Sequence, residues 1–312
     1  MLESNKRVTV YMEGHIDSDY GKMGTGVVRY LKNPIIGVID KTDAGKSMKD
    51  FIDIEREIPI IEESIKSGLS IVNGLHDLLL PEWRDIINQQ KQWIWDVRVP
   101  QFTPAIATAR ASSLSNKRVL FIGTDMAVGK MTSGLELYED LLQRRVNVGF
   151  IATGQIGITI MGRGIPLDAF KIDHACGAVE QMVMEDADKE ILIVEGQGSL
   201  LHPGSSATLP LMRGCCPTHL ILCIRADKMT LRSPKNIAIP DLNKFIALNE
   251  DLATVVGTYP RAKVIGICAN TSMLSKEEAK NFVNNISEKT GVETTDPVRF
   301  GVSGISNLLL KA

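Results

Sequence analysis

The sequence has little of three things: cysteine, an excess of charge of one sign, and long apolar runs. Its five cysteines, an odd number with no C-x-x-C pair, indicate neither a disulfide framework nor a zinc knuckle. Its 35 Lys and Arg nearly balance 37 Asp and Glu, so a net charge of −2 gives no electrostatic reason for nucleic-acid binding. No apolar run approaches the roughly 18 residues that cross a bilayer, and no signal-peptide core precedes the first polar break. We therefore expect a cytoplasmic protein that binds neither nucleic acid nor membranes.

The composition and length indicate a globular protein of two domains. Hydrophobic residues make up 44% and charged residues 23% of the 312 residues, which excludes a disordered chain, a collagen-like fibre or a disulfide-stapled miniprotein. The expected boundary lies between Val99 and Lys117, where two prolines and several small residues interrupt the strand signals. We place the domains at residues 1–110 and 111–312.

Short apolar, β-rich runs recur along the chain and alternate with stretches of helical length. The predicted strands lie at 8–12, 35–39, 70–72, 94–97, 119–122, 148–151, 191–194, 220–224 and 264–268. This alternation is typical of an α/β fold with a mainly parallel sheet.

The strongest signal for function is a phosphate-binding loop. The buried strand at 119–122 runs into a glycine-bounded loop and then into a segment with helical spacing of apolar residues. A strand, a Gly-rich loop, a lysine and a helix N-terminus together form an anion cradle of backbone N–H groups, helix dipole and ammonium. The residues expected to bind the phosphate-bearing cofactor are Gly123, Thr124, Asp125, Val128, Gly129, Lys130, Met131 and Thr132.

This loop departs from G-x-x-x-x-G-K-[ST] in two ways. Five residues rather than four separate Gly123 from Gly129, and Met131 stands where a hydroxyl would bind magnesium. A thioether is a poor ligand for a hard cation. Either Thr132 substitutes for the hydroxyl, or the loop holds phosphates without tightly bound magnesium. The loop therefore supports phosphate binding better than phosphoryl transfer.

Several segments resemble dethiobiotin synthetase and related P-loop proteins. GTDMAVGK (123–130) resembles the loop of that enzyme, which shares the extra residue. IVEGQGSL (193–200) resembles a segment in which a glutamate at a strand end reaches phosphates or metal. ICANT (267–271) stands where those folds use an asparagine to read a base, which implies that Asn270 contacts the cofactor.

A further set of segments is spread over nearly the whole chain: GTDMAVGKMT, ATGQIGITIMGRG, DHACGAVEQMV, VEGQGSL, GVVRY and NGLHDLL. Together they resemble a family catalogued as a domain of unknown function, of which the D-glutamate N-acetyltransferases form one branch. The resemblance implies a small Rossmann-like N-terminal domain followed by a P-loop NTPase-like domain. The first domain is trimmed before NGLHDLL, its glycine cluster GKMGTG lacks the G-x-G-x-x-G order, and we interpret it as a scaffold or dimer surface.

Several other candidate site residues follow predicted strand ends, where open parallel sheets bind ligands. Asp173 and Glu180 instead share one face of a helix predicted between Asp168 and Glu185. The expected catalytic residues are Glu195, Asp173 and His202, and the expected substrate-binding residues are Gln155, Arg163, Glu180 and Arg225. Carboxylates and imidazoles can take a proton, and arginine forks bind carboxylates or phosphates. Each has a structural alternative, such as a solvated helix face for Asp173 and Glu180 or a surface position for Arg163.

Three functions fit this pattern. The first is acetyl transfer from acetyl-CoA to the amine of D-glutamate or a similar acidic amino acid, with the loop holding the donor's phosphates. The second is ATP- and magnesium-dependent ligase or kinase chemistry of the dethiobiotin synthetase type, with a metal site at Thr132, Asp125 and Glu195. The third is a nucleotide-dependent regulator. We favour the first, with a small-molecule substrate and a homo-oligomer, for which a dimer is the simplest expectation.

Overall fold

The computed structural model describes residues 7–12, 14–17, 21–61, 70–74 and 78–311. Its contacts divide the chain into two compact units, residues 1–101 with 154–169 and residues 102–153 with 170–312. The return of residues 154–169 to the first unit differs from the contiguous division expected from sequence. Part of the NGLHDLL motif, at 75–77, lies outside the described residues.

Strands and helices alternate along most of the described chain. The strands are β1 (Val8–Tyr11), β2 (Ile35–Ile39), β3 (Ile60–Ile61), β4 (Ile71–Asn73), β5 (Ile94–Asp96), β6 (Lys117–Gly123), β7 (Val148–Ile151), β8 (Ile191–Val194), β9 (His219–Arg225), β10 (Lys263–Asn270) and β11 (Thr294–Thr295). The helices are α1 (Lys22–Tyr30), α2 (Leu80–Trp83), α3 (Lys130–Gln143), α4 (Gln155–Met161), α5 (Ile172–Glu185), α6 (Thr208–Cys215), α7 (Leu242–Thr254), α8 (Lys276–Thr290), α9 (Pro297–Phe300) and α10 (Ser303–Lys311). All nine predicted strands are confirmed, and the two-residue strands β3 and β11 are additional.

The first unit contains two small parallel sheets. One has the order β1-β2-β3, and the other pairs β4 with β5. Its core combines apolar residues of β1, α1 and β2 with Met48 and Ile58, and Ile156 of α4 packs against it. Gly24 permits close packing, because a Cβ there would overlap Met12. The GKMGTG cluster therefore has a packing role in α1.

The second unit is built on a six-stranded, entirely parallel sheet. Its strand order is β11-β10-β9-β6-β8-β7. Strands β7 and β8 lie on one side of β6, and β9 to β11 lie on the other, so the strand order reverses at β6. In open α/β sheets ligands bind outside the carboxyl ends of the strands at such a reversal. The phosphate loop follows β6 and therefore lies at that point.

The sheet is held at its amino-terminal edge by a buried arginine. Arg118 is fully buried in β6, and its guanidinium donates to the carbonyl oxygens of Cys215 and Cys216 at 3.0 Å and to that of Asn116 at 2.8 Å. Burial lowers the pKa of this guanidinium. Carbonyl oxygens satisfy its donors, which a buried arginine requires. Among the described residues, none of the helices is long and apolar enough to cross a membrane.

One face of α5 carries the extended segment 102–110. His174 Nδ1 lies 2.8 Å from the Pro104 carbonyl oxygen. One turn further along, a Cβ on Gly177 would overlap the Ala105 carbonyl oxygen. The next turn presents Glu180, whose carboxylate accepts the backbone N–H of Thr108 and of Arg110. Residues three and four apart share a helix face, so His174, Gly177 and Glu180 form one continuous surface against which the segment packs.

We predict that Gly177→Ala destabilises the protein although alanine is the better helix former. The added methyl must displace a backbone carbonyl, and overpacking of this kind costs about 1–3 kcal/mol of the free energy of unfolding. Gly304→Ala in α10 is the matched control, because the atoms nearest to its Cβ belong to the exposed Glu293 side chain and not to backbone. Urea unfolding followed by circular dichroism compares the two. Equal free energies of unfolding for the two variants would contradict the close packing of Gly177 against the Ala105 carbonyl oxygen.

Candidate functional site

The phosphate loop joins the end of β6 to the start of α3. Its backbone has a positive φ at Ala127 (54°) and at Gly129 (102°), and Val128 between them does not share it. Alternation of this kind turns successive N–H groups to one side and forms an anion-binding nest. A Cβ on Gly123 would lie 2.8 Å from Val128 Cγ2, so the loop folds back closely over the strand end. The predicted strand, loop and helix are confirmed as structure.

Lys130, the first residue of α3, is enclosed by the loop. Its Nζ donates to the backbone carbonyl oxygen of Asp125 at 2.8 Å. Burial lowers the pKa of the ammonium to about 8, against the opposing influence of neighbouring Cys223, Asp125 and Glu195. Its stem passes Gly196, where a Cβ would lie 2.9 Å from Lys130 Cδ. A cation held in this way gains a charged partner when an anion enters the nest.

Three further predicted cofactor-binding residues lie in the loop and at the start of α3. Thr124 is fully buried, its backbone N–H donates to the Cys223 carbonyl oxygen at 3.1 Å, and its hydroxyl has no hydrogen-bond partner. An orphaned buried hydroxyl has a cost that a bound group can remove. Met131 and Thr132 are half-buried in the first turn of α3.

Glu195 follows β8 directly and lies at the same sheet edge. Its Oε2 accepts the Thr153 backbone N–H at 2.8 Å, and its backbone carbonyl accepts the Thr153 hydroxyl at 2.9 Å. The carboxylate is buried and close enough to Lys130 to influence that pKa. The structure therefore brings Glu195 close to Asp125 and Lys130 of the loop, although the sequence places Glu195 in a separate segment. Thr153 follows β7, and only this strand-end position marks it in the sequence.

Both ring nitrogens of His202 lie within hydrogen-bond distance of backbone atoms. The Gly204 backbone N–H donates to its Nδ1 at 3.1 Å, so this nitrogen carries the lone pair. Its Nε2–H then donates to the Ser233 carbonyl oxygen at 2.6 Å. With both ring nitrogens bonded to the backbone, the structure supports a role in joining two loops and gives no support to the predicted base.

Arg225 and Asn270 lie side by side at the ends of β9 and β10. The Arg225 guanidinium donates two hydrogen bonds to the Asp227 carboxylate, each 3.0 Å long. Asn270 Oδ1 accepts the Ser272 backbone N–H at 3.1 Å, so it shapes its own turn. Arg225 thus forms a local ion pair, and an acidic substrate would have to compete with Asp227 for it.

The remaining predicted residues have the following surroundings. Glu180 is buried beneath the segment 102–110, where Arg110 Nε also donates to it at 3.0 Å, and this does not support the predicted substrate contact. Asp173 is exposed in the first turn of α5. Gln155 begins α4, and Arg163 follows that helix between two glycines with positive φ, so both belong to the first unit.

The described part of the chain offers few groups of side chains that could bind a metal ion. Within it, no cluster of three or more His, Cys, Asp and Glu side chains has the geometry to hold a metal ion. Asp125 and Glu195 both accept backbone N–H groups, and Met131 offers a thioether in place of a hydroxyl. Neutral backbone donors and one ammonium therefore dominate the arrangement.

Comparison with known proteins identifies relatives along most of the chain. The P-loop domain of the family DUF1611, described as a domain of unknown function, matches residues 105–306, and its Rossmann-like domain matches residues 53–100. Two curated relatives are named D-glutamate N-acetyltransferase. One, from a Pseudoalteromonas species, is 35% identical over 80% of this chain and 74% of its own length. The other, from Tritonibacter scottomollicae, is 32% identical over 80% and 75%.

A solved structure is similar over its full length. It is the crystal structure of a DUF1611 family protein from Anabaena variabilis, with 36% identity and a TM-score of 0.93, covering 99% of this chain and 100% of that one. The expected Rossmann-like and P-loop domains are thereby confirmed.

We predict that the buried Lys130 makes the free energy of unfolding of the wild type rise with pH above about pH 8, and that Lys130→Met lacks this rise. The folded state releases the lysine proton near pH 8, whereas an unfolded lysine holds it to about pH 10.4. Between these values the unfolded state binds more protons, so the stability of the wild type rises with pH. Relative to Lys130→Met, the gain should be about 3 kcal/mol.

Urea unfolding between pH 7 and pH 10.5 measures this difference. The control is Lys280→Met, which removes an exposed lysine of α8 and should leave the pH dependence of the wild type unchanged. A constant difference between wild type and Lys130→Met across this range would show that the ammonium is not desolvated.

Proposed function

The chain belongs to the DUF1611 family, and on that basis we propose that it is an N-acetyltransferase that moves the acetyl group of acetyl-CoA to the amine of D-glutamate or a similar acidic amino acid. The two curated relatives carry that activity in their names. The observation in this chain that carries the proposal is a phosphate cradle with Met131 at the hydroxyl position. It suits a ligand whose phosphates are bound and left unreacted.

The donor's diphosphate suits the loop for reasons of charge and shape. Coenzyme A contains an adenosine diphosphate moiety, and the nest at Ala127 and Gly129 offers it backbone N–H groups. Lys130 adds a cation that is already desolvated. The orphaned Thr124 hydroxyl is a further candidate donor for the bound group. Arg225, the predicted contact for the acceptor's carboxylates, is paired with Asp227, so an acidic acceptor would have to compete with that side chain.

Glu195 is the proposed proton acceptor. The acceptor amine must lose a proton before its nitrogen attacks the thioester carbonyl carbon. A carbon–nitrogen bond then forms, the carbon–sulfur bond breaks, and the thiolate leaves and takes up a proton. Glu195 combines burial, proximity to Lys130 and an oriented carboxylate. Its hydrogen bond from the Thr153 backbone N–H orients the carboxylate, and an oriented carboxylate can take the proton of the amine.

We predict that acetyl-CoA binds the purified protein tightly without added magnesium and that Lys130→Met weakens it at least tenfold. Loss of one charge-assisted hydrogen bond of about 1.5–3 kcal/mol accounts for that factor. Calorimetric titration with acetyl-CoA, and separately with ATP plus magnesium, measures both. Tight magnesium-ATP binding with no acetyl-CoA signal would contradict the proposal and favour the ligase or kinase.

We predict that Glu195→Gln lowers kcat for D-glutamate acetylation about 100-fold or more, because general bases contribute factors of this size. The dissociation constant of acetyl-CoA should change little. Glu190→Gln is the matched control, since Glu190 precedes the opposite end of the same strand and is exposed. Release of the free thiol, followed with a chromogenic disulfide, gives the rate. An equal loss of binding and turnover would make Glu195 a ligand contact instead.

A further inference from the structure

The phosphate loop contains a carboxylate, although a negative charge at this place opposes the binding of an anion. Asp125 lies inside the loop and is buried, with its charge close to Lys130. A negative charge beside an anion site repels the ligand, and the repulsion grows where water is excluded. Its presence therefore requires a structural reason. Its two oxygens supply one, since both accept backbone N–H groups at 2.7 Å.

One of these N–H groups comes from a distant segment. Asp125 Oδ1 accepts from its neighbour Met126, whereas Asp125 Oδ2 accepts from Arg232, which is 107 residues further along the chain. Arg232 lies in the segment between β9 and α7. The carboxylate thus fastens that segment directly to the phosphate loop.

The segment Met229–Ile239, here called the β9–α7 hairpin, is a defined structure. Leu231 N–H donates to the Ile237 carbonyl oxygen, and Ile239 N–H donates to that of Met229, each at 2.9 Å. Leu231 is fully buried and anchors it. A second fastening is the bond from His202 to the Ser233 carbonyl oxygen. Arg232 is fixed through its backbone between these points, while its side chain is exposed.

The charge of a bound diphosphate requires more than one lysine. In loops with a Ser or Thr after the lysine, a magnesium ion supplies the additional positive charge. Met131 cannot supply that ligand, because a thioether binds hard cations poorly. An arginine held beside the loop can replace this charge, since its planar fork matches phosphate oxygens in a bidentate manner.

We propose that Arg232 contacts the diphosphate held by the loop and supplies the positive charge that magnesium supplies elsewhere, with Asp125 as the positioning residue that fastens the hairpin. The inference rests on the proposed function only in taking a diphosphate ester as the bound group. It explains three features together: the buried carboxylate of Asp125 in an anion site, Met131 at the hydroxyl position, and the hydrogen bond that fastens the hairpin to the loop.

ADP is the probe, because it carries the diphosphate part of both coenzyme A and ATP. Calorimetric titration of the full chain in EDTA and in magnesium should give dissociation constants that agree within about threefold. Arg232→Ala should weaken ADP binding about 10- to 100-fold, the range expected for a charge-assisted contact. Arg232→Lys should recover part of the loss, because it keeps the charge and loses the fork. Lys235→Ala, an exposed cation on the same hairpin, is the control and should bind ADP like the wild type.

Asp125→Ala tests the positioning role by the direction of its effect. Simple repulsion predicts that loss of the carboxylate tightens ADP binding, whereas fastening of the hairpin predicts that it weakens binding. In the double variant with Arg232→Ala, the loss should not exceed that of either single variant by more than about threefold, because both changes remove one interaction. Thermal unfolding confirms that each variant is folded.

The outcomes separate this inference from the proposed function. Unchanged ADP affinity in Arg232→Ala, tighter binding in Asp125→Ala, or a strict magnesium requirement in the wild type overturns the role of Arg232, even if D-glutamate is acetylated. The expected losses in ADP binding together with no acetyl transfer support Arg232 and overturn the acetyltransferase alone.

Discussion

The candidate site depends on one costly arrangement, a lysine ammonium enclosed in the interior of the protein. Lys130 has a pKa of about 8 in this position, and its hydrogen-bond acceptor is a carbonyl of its own loop. Glycine at 123 and 196 leaves room for the head and stem of the side chain. Desolvation of a charge destabilises the ligand-free fold, and the same desolvation strengthens the attraction to an entering anion. Stability and binding are therefore opposed at this residue.

Several buried carboxylates accept backbone N–H groups and so fix the path of the chain. Glu180 binds the N–H groups of segment 102–110, and Asp96 binds those of Leu79 and Leu80 at the start of α2. Asp125 binds the β9–α7 hairpin in the same way. A carboxylate can accept several N–H groups, so it suits chain segments that lack regular pairing. Glu195 shares this geometry, and like Asp125 it lies close enough to Lys130 to raise the pKa of that ammonium.

Local patterns predicted the elements that depend on local properties. Runs such as ILIV at 191–194 are continuous and apolar because parallel strands are covered on both faces, so they are visible without the fold. Strands β3 and β11 have only two residues each and carry no such run. Helical spacing shows that Glu180 shares a face with other residues of α5 but does not show what covers that face. Here segment 102–110 covers it.

Residues adjacent in the chain identify the phosphate loop and place Met131 at its hydroxyl position, and the alternation of apolar runs with helical stretches predicts the parallel α/β sheet. Which distant residues meet that loop depends on the tertiary fold. Strand order brought Glu195 beside Lys130, and the hairpin brought Arg232 onto Asp125. The same packing paired Arg225 with Asp227 and engaged both nitrogens of His202. A side chain's partners depend on the path of the whole chain, and residue type and spacing alone do not specify that path.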